Sequence, residues 1–191
     1  MRTRTPNLTD RVLDVAAQLF GTLRFHEVRM EDISEKAGVG KGTLYRYFSD
    51  KEELFLAMLS RASRQFMARI HDALATLDDP RDCLQAIVEM VIAYFDEHPH
   101  LFDLLQRAEV LRGSDFPWQD ARGELLRLVT DLLTEGTTRG DFTVRDPELA
   151  MLMLLGGLRG VIRFGKRPRP VNLSGKIVDT LLNGHAESAH A

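Results

Sequence analysis

VRMEDISEKAGVGKGTLYRYFSDKEELF, residues 28–55, is the stretch whose reading decides the fold. At its centre GVGKGT, residues 38–43, has the composition of a phosphate cradle, with three glycines, a lysine and a threonine. A nucleotide-binding loop reads G-x-x-x-x-G-K-[ST]: its glycines let backbone N–H groups close around phosphates, and its hydroxyl ligates magnesium. Lys41 follows Gly40 as that pattern demands, but Gly42 stands where Ser or Thr is needed and Glu35 where the first glycine belongs. Such a loop also follows a buried apolar strand. The preceding MEDISEKA is charged and spaces its apolar residues three and four apart, which is helical. The glycines therefore need another explanation.

Read as helices, the stretch is orderly. A short helix covers about 30–37, with Met30, Ile33 and Ala37 on one side. Gly38 supplies a left-handed turn at low steric cost. A second short helix runs from about Lys41 to Phe48, and Ser49-Asp-Lys-Glu52 fits a capping box for the helix that follows. Upstream, Thr9 is the expected N-cap of a first helix with Asp10 in its first turn. Its apolar stripe is Val12, Val15, Ala16, Leu19, Phe20 and Leu23, with Gly21 near its end. Short helices joined by a tight glycine turn have helix-turn-helix geometry.

On the helix over 41–48, Leu44 and Phe48 share an apolar face that can pack on the first helix. Thr43, Arg46 and Tyr47 share another face, with Tyr45 at the boundary. That second face suits DNA. Arginine bonds guanine bidentately in the major groove, hydroxyls bond phosphates, and a threonine methyl can touch a thymine methyl. Gly40 and Gly42 thin out the helix start so that a phosphate chain can approach N–H groups that favour an anion. Lys51 is placed for a further phosphate, and Arg2 and Arg4 lie in an arm that could reach phosphates or a minor groove. A solvated helix in an ordinary bundle is the competing reading of the same residues.

The stretch 28–55 closely resembles the DNA-binding segment of the tetracycline-repressor (TetR) family. The matching elements are Asp32-Ile33, Ala37-Gly38-Val39, Lys41-Gly42-Thr43-Leu44-Tyr45, Tyr47-Phe48 and Lys51-Glu52. The likeness is detailed over about 8–55. Beyond that it lies in the helical layout and in Gly140-Asp-Phe and Asp146-Pro147 leading into a long apolar helix. The resemblance implies that Lys41, Gly42, Thr43, Tyr45, Arg46 and Tyr47 face DNA, with Lys51 on a phosphate. Where the family usually has a threonine that caps the second helix and touches phosphate, this chain has Arg29. A phosphate contact survives that change and the N-cap does not. Ala37 and Val39 fit a structural role at the helix crossing.

The rest of the chain sets the frame. Its 191 residues, 44% hydrophobic and 28% charged, are ordinary for a soluble globular protein. The net charge of −3 is unevenly spread: residues 1–51 carry nine Lys/Arg against seven Asp/Glu, the remaining 140 sixteen against twenty-one. The single Cys83 fits a reducing compartment and excludes an internal disulfide framework. The N-terminus lacks a signal-peptide core, and the longest apolar run, 149–162, is too short for a membrane span and contains Arg159. A cytoplasmic location follows by default.

Further helices are expected over about 50–77, 82–97, 100–112, 118–139, 147–165 and 174–184, with DDP, GSDFP and KRPRP as breaks. The expected fold is all-α, with about nine helices in two parts: a helix-turn-helix domain over 1–49 and a helical effector-binding and dimerisation domain over 50–191.

No catalytic constellation is visible in the second part, so no enzyme and no cofactor are expected. His98 and His100 flank Pro99, a spacing that could hold a metal but more often caps a helix end. Met58, Phe66, Met90, Tyr94, Phe95, Phe102, Leu105 and Trp118 are core residues, some of which can line a pocket in a bundle interior. The resemblance implies an effector site among them, and their Met/Phe character favours a lipophilic or aromatic compound.

Over 147–165, Leu149, Leu152, Met153, Gly156 and Gly160 form one face, and Met151, Leu154, Leu155, Leu158 and Ile162 another. A helix apolar nearly all round is buried on two sides. It is either central to a monomer or shared with a partner; the resemblance favours a homodimer, joined also through Ile177 and Leu181. The functional expectation is a homodimeric, ligand-released repressor on a palindromic DNA operator. A DNA-binding regulator without a small-molecule effector is the first competitor, and a nucleotide-using enzyme the second.

Overall fold

Asn7 starts the first helix: its side chain accepts a hydrogen bond from the Asp10 N–H at 2.8 Å. In this computed structural model, which describes residues 7–98, 101–102 and 119–183, α1 then runs Leu8–Thr22. The expected cap Thr9 is displaced by Asn7, because an N-cap oxygen bonds the N–H two or three residues on and Asn7 reaches Asp10. Next come α2 (Met30–Lys36), α3 (Lys41–Tyr47), α4 (Lys51–Leu74), α5 (Pro80–Glu97), α6 (Gln119–Arg139), α7 (Pro147–Phe164) and α8 (Leu173–Asn183). The described residues hold eight helices and no strand. The expected helix over 100–112 falls almost wholly outside them.

The fold divides into two units, residues 1–66 with 97–121, and residues 67–96 with 122–191. In the first unit most of the periodic stripe of α1 is buried: Val12, Ala16, Leu19 and Phe20 are inaccessible or nearly so, as are Ile33 of α2, Leu44 of α3 and Leu54 of α4, whereas Val15 is half-buried and Leu23, just past the helix end, is exposed. Each of the larger ones, Val12, Leu19, Phe20, Ile33, Leu44 and Leu54, contributes roughly 1.5–3 kcal/mol through its removal from water. Phe20, Phe25 and Phe55 pack as a cluster, with ring centroids 5.0 to 5.5 Å apart.

The turn between α2 and α3 is fully specified. Gly38 has φ +63°. Its N–H bonds the Glu35 carbonyl at 3.1 Å, and the Val39 N–H reaches back to the Ser34 carbonyl at 3.0 Å, the paired bonds of a Schellman stop. The buried Ser34 hydroxyl clips the turn from the other side by donating to the Val39 carbonyl at 2.6 Å.

The start of α4 is capped one residue later than the sequence reading placed it. Asp50 accepts from the Glu53 N–H at 2.8 Å, and the Glu53 carboxylate takes both the Ser49 N–H and hydroxyl at 2.6 and 2.7 Å. Glu53, not Glu52, therefore closes the box.

In the second unit α6 stops at Gly140, φ +82°. A side chain at Gly136 would collide with the Phe142 ring, so that glycine lets Phe142 fold back over the helix end. Asp146 caps α7, accepting from the Leu149 N–H at 2.9 Å with Pro147 in the first turn. The linker after α7 is held by Arg169. Its guanidinium grips Asp96 of α5 at 2.7 and 2.8 Å and donates to the Val161 carbonyl at 2.7 Å. This pairing, above all the hydrogen bond from Arg169, holds the Asp96 carboxyl below its ordinary range.

Candidate nucleic-acid interface

α3 is seven residues long and buries one side chain of its own, Leu44, with Phe48 buried just beyond its end. Everything else on it looks outward. Lys41, Gly42, Tyr45, Arg46 and Tyr47 are exposed and Thr43 is half-buried. Tyr45 is as open as Tyr47, at 41% and 48% of their surface, so it belongs to the outer face and not to the boundary. The Arg46 guanidinium lies 5.8 Å from the Tyr47 ring centroid and the Lys41 ammonium 6.0 Å from that of Tyr45. The surface thus offers cations stacked on aromatic rings, with hydroxyls beside them, a combination suited to phosphates and base edges.

The glycines separate by physical cause. Gly38 is required by its backbone angle. Gly42 is not: a side chain there would meet nothing within 4 Å, and glycine inside a helix costs up to about 1 kcal/mol relative to alanine. Nothing among the described residues asks for a small residue at 42.

Lys41 is paired within the protein. Its ammonium lies 2.5 Å from the Glu31 carboxylate of α2. That hydrogen bond is the main reason Glu31 is held below and Lys41 above their ordinary pKa values. Arg29 is exposed, extended and makes no side-chain cap bond to α2. Arg2 and Arg4 lie outside the described residues.

Lys51, expected on a phosphate, turns inward. Its ammonium donates to the Phe25 carbonyl at 2.7 Å and the Val28 carbonyl at 2.9 Å, and sits 4.5 Å from the Phe25 ring centroid. Burial pulls its pKa down. Two of its three N–H donors are spent inside the head, so it serves first as a strut between α4 and the α1–α2 loop. The sequence held a hint of this, since a cation at the positive end of a helix is disfavoured unless something holds it.

The residues expected around an effector are distributed as follows. Met58, Phe66 and Phe102 are buried in the first unit. In the second, Phe95 is buried and Met90 and Tyr94 are partly so. Burial raises the Tyr94 phenol pKa, and its ring packs edge-on to Phe95 with centroids 5.4 Å apart. Leu105 and Trp118 lie outside the described residues, as does His100.

α7 separates its two faces as expected from periodicity. Met151, Leu154, Leu158 and Ile162 are buried, while Leu149, Leu152 and Met153 are 53 to 63% exposed. Gly156 is exposed, Gly160 partly so, and a side chain at either would meet nothing within 4 Å. Leu149, Met153, Ile177 and Leu181 line a groove of about 810 Å³ between α7 and α8. Phe164, 80% exposed at the end of the same stripe, was missed by the sequence reading. It continues the spacing of Met153, Gly156 and Gly160, which was the available signal. Among the described residues no helix is long and apolar enough to cross a membrane, and no three His, Cys, Asp or Glu side chains gather as a metal site.

Known proteins share this architecture. The transcriptional activator FasR of Mycolicibacterium smegmatis is 38% identical over 90 residues, which are 47% of this chain and 40% of that one. The chain thus spans well under half the length of that relative. The crystal structure of FadR from Bacillus subtilis in complex with stearoyl-CoA superposes with a TM-score of 0.74 at 21% identity, covering 91% of this chain and 97% of that one. A regulator from Saccharomonospora viridis in complex with choline superposes with a TM-score of 0.82 at 20% identity, covering 95% and 98%. At these identities the two structures establish a common fold. Residues 12–58, which hold α2, α3 and the exposed face just described, match the bacterial regulatory proteins of the tetR family.

Proposed function

We propose that this chain is a homodimeric transcriptional repressor that docks α3 in successive major grooves of a palindromic operator and is released by a small lipophilic effector. The observation that carries the DNA reading is the outer face of α3, with Lys41, Tyr45, Arg46 and Tyr47 exposed above buried Leu44. Arg46 is the base reader. Lys41, Thr43, Tyr45, Tyr47 and Arg29 hold the backbone, Gly42 admits it, and Lys51 contributes its remaining donor. The reading head is 1–49, and 50–191 senses the effector and dimerises.

The second copy is supported by the open stripe of α7, from Leu149 to Phe164, and the α7–α8 groove. An apolar surface of this kind is stable in water once another covers it. Its two-fold symmetry would be mirrored in the operator.

For the effector we propose a long-chain acyl thioester. The stearoyl-CoA bound by the Bacillus subtilis protein supports it. Such a ligand releases DNA if it prefers the DNA-incompetent state.

Selecting bound sequences from a random duplex pool tests the DNA reading: a palindrome with two half-sites is expected, and the absence of any enriched duplex would overturn it. Stearoyl-CoA and choline, each added to the operator complex and to a thermal melt, test the effector. The thioester is expected to raise the melting temperature and release DNA. Release by choline alone would replace the lipophilic reading, and release by neither would favour a regulator without this class of effector.

A further inference from the structure

Glu31 stands in the first turn of α2 with its carboxylate 2.5 Å from the ammonium of Lys41, the first residue of α3. Both side chains are more than half exposed, at 52% and 62%, so nothing in the packing prevents exchange of partners. Arg29, one residue before α2, is close enough that its charge adds to the stabilisation of the Glu31 carboxylate. One acidic group therefore sits among cations that the proposed function assigns to the DNA backbone. A carboxylate and a phosphate oxygen are equivalent partners for an ammonium, and only one can take a given N–H.

We infer that Glu31 is a built-in phosphate surrogate, whose carboxylate neutralises Lys41 and competes with a backbone phosphate for its charge when the operator binds. This rests on the proposed reading of Lys41 as a DNA-facing cation. Glu31 then sets how tightly, and how salt-sensitively, the protein holds DNA. While it holds Lys41, that lysine adds no net charge to the face, so the approaching duplex meets one cation fewer and releases fewer counterions. Glu31 is a positioning residue: it acts on DNA through Lys41.

The experiment uses the full chain in five forms: wild type, Glu31→Gln, Glu31→Asp, Lys41→Met, and Glu31→Gln with Lys41→Met. Affinity for the selected operator and for a scrambled duplex is measured from about 50 to about 300 mM salt, with thermal melting to check folding. Glu31→Gln is expected to bind on the order of three- to tenfold tighter at the lowest salt, and to steepen the log–log salt slope by up to about one unit. Glu31→Asp, which keeps the charge, should keep the shallower slope. In the Lys41→Met background the glutamine substitution should change affinity by less than about twofold, since no ammonium remains to be freed.

If Glu31→Gln tightens binding equally in both backgrounds, the carboxylate acts by general repulsion and the surrogate is wrong. An unchanged or weaker Glu31→Gln alongside a weakened Lys41→Met also overturns it. Should Lys41→Met alone leave affinity and slope untouched, the reading of Lys41 as DNA-facing is what fails.

Discussion

The outer face of α3 and the outer face of α7 are both open to solvent, and each belongs to a helix whose other side is buried. Their chemistry is opposite. On α3 the exposed groups are an ammonium, a guanidinium and phenols, which water already solvates well. On α7 they are Leu149, Leu152, Met153 and Phe164 beside glycines. Water tolerates the first face indefinitely, so its partner can come and go with salt and ligand. The second face carries a standing free-energy penalty in water, which favours a permanent partner. The proposed function needs both kinds of surface, one reversible and one lasting.

The largest effect is expected from attacking the lasting face. Leu152→Glu places a charge in the centre of the stripe and should convert a dimer to a monomer by sedimentation. Losing the two-site attachment should weaken operator binding by at least about 100-fold, while the melting curve of the monomer stays cooperative. A dimer that survives this change would assign the stripe to something else. Next comes the support beneath the reversible face. Leu44→Ala removes the side chain that seats α3 and should cost about 2–5 kcal/mol of stability by chemical denaturation.

Arg46→Ala should cost about 1–3 kcal/mol of operator affinity and relax preference at one base position, read by repeating the pool selection. An unchanged preference would move Arg46 to the phosphate contacts. The smallest effect is the most diagnostic of the comparison. Gly42→Ala should raise stability by about 0.5 kcal/mol, because alanine favours the helix and meets no neighbour, yet weaken DNA binding by crowding the approach. Gly156→Ala should likewise stabilise the helix but loosen the dimer. If both glycines accept alanine without loss of binding, neither face needs close approach.

Lys41 and Lys51 show where sequence reading stopped. Both lysines begin a helix in the same short segment, and both suggest phosphate. Lys41 points outward and meets Glu31, whereas Lys51 reaches the carbonyls of Phe25 and Val28. Those partners lie ten residues away for one, and 26 and 23 for the other. No local pattern encodes such separations. The caps tell the same story on a smaller scale: Asn7 replaces Thr9 and Glu53 replaces Glu52, a matter of which short side chain reaches which N–H. Phe164 could have been found by extending the α7 stripe, but a basic, proline-rich linker beside it masked the period.

The sequence alone determined most of the described helices, the stops at Gly38 and Gly140, most of the buried stripe of α1, and the outward face of Arg46 and Tyr47. Periodicity and backbone angle are local properties, and a helix turns them directly into faces. Tertiary structure decided which charges are spent internally, which glycines answer to a backbone angle and which to open space, and that α7 leaves a whole apolar side uncovered. Those depend on distances between residues far apart in the chain, which only the folded core sets.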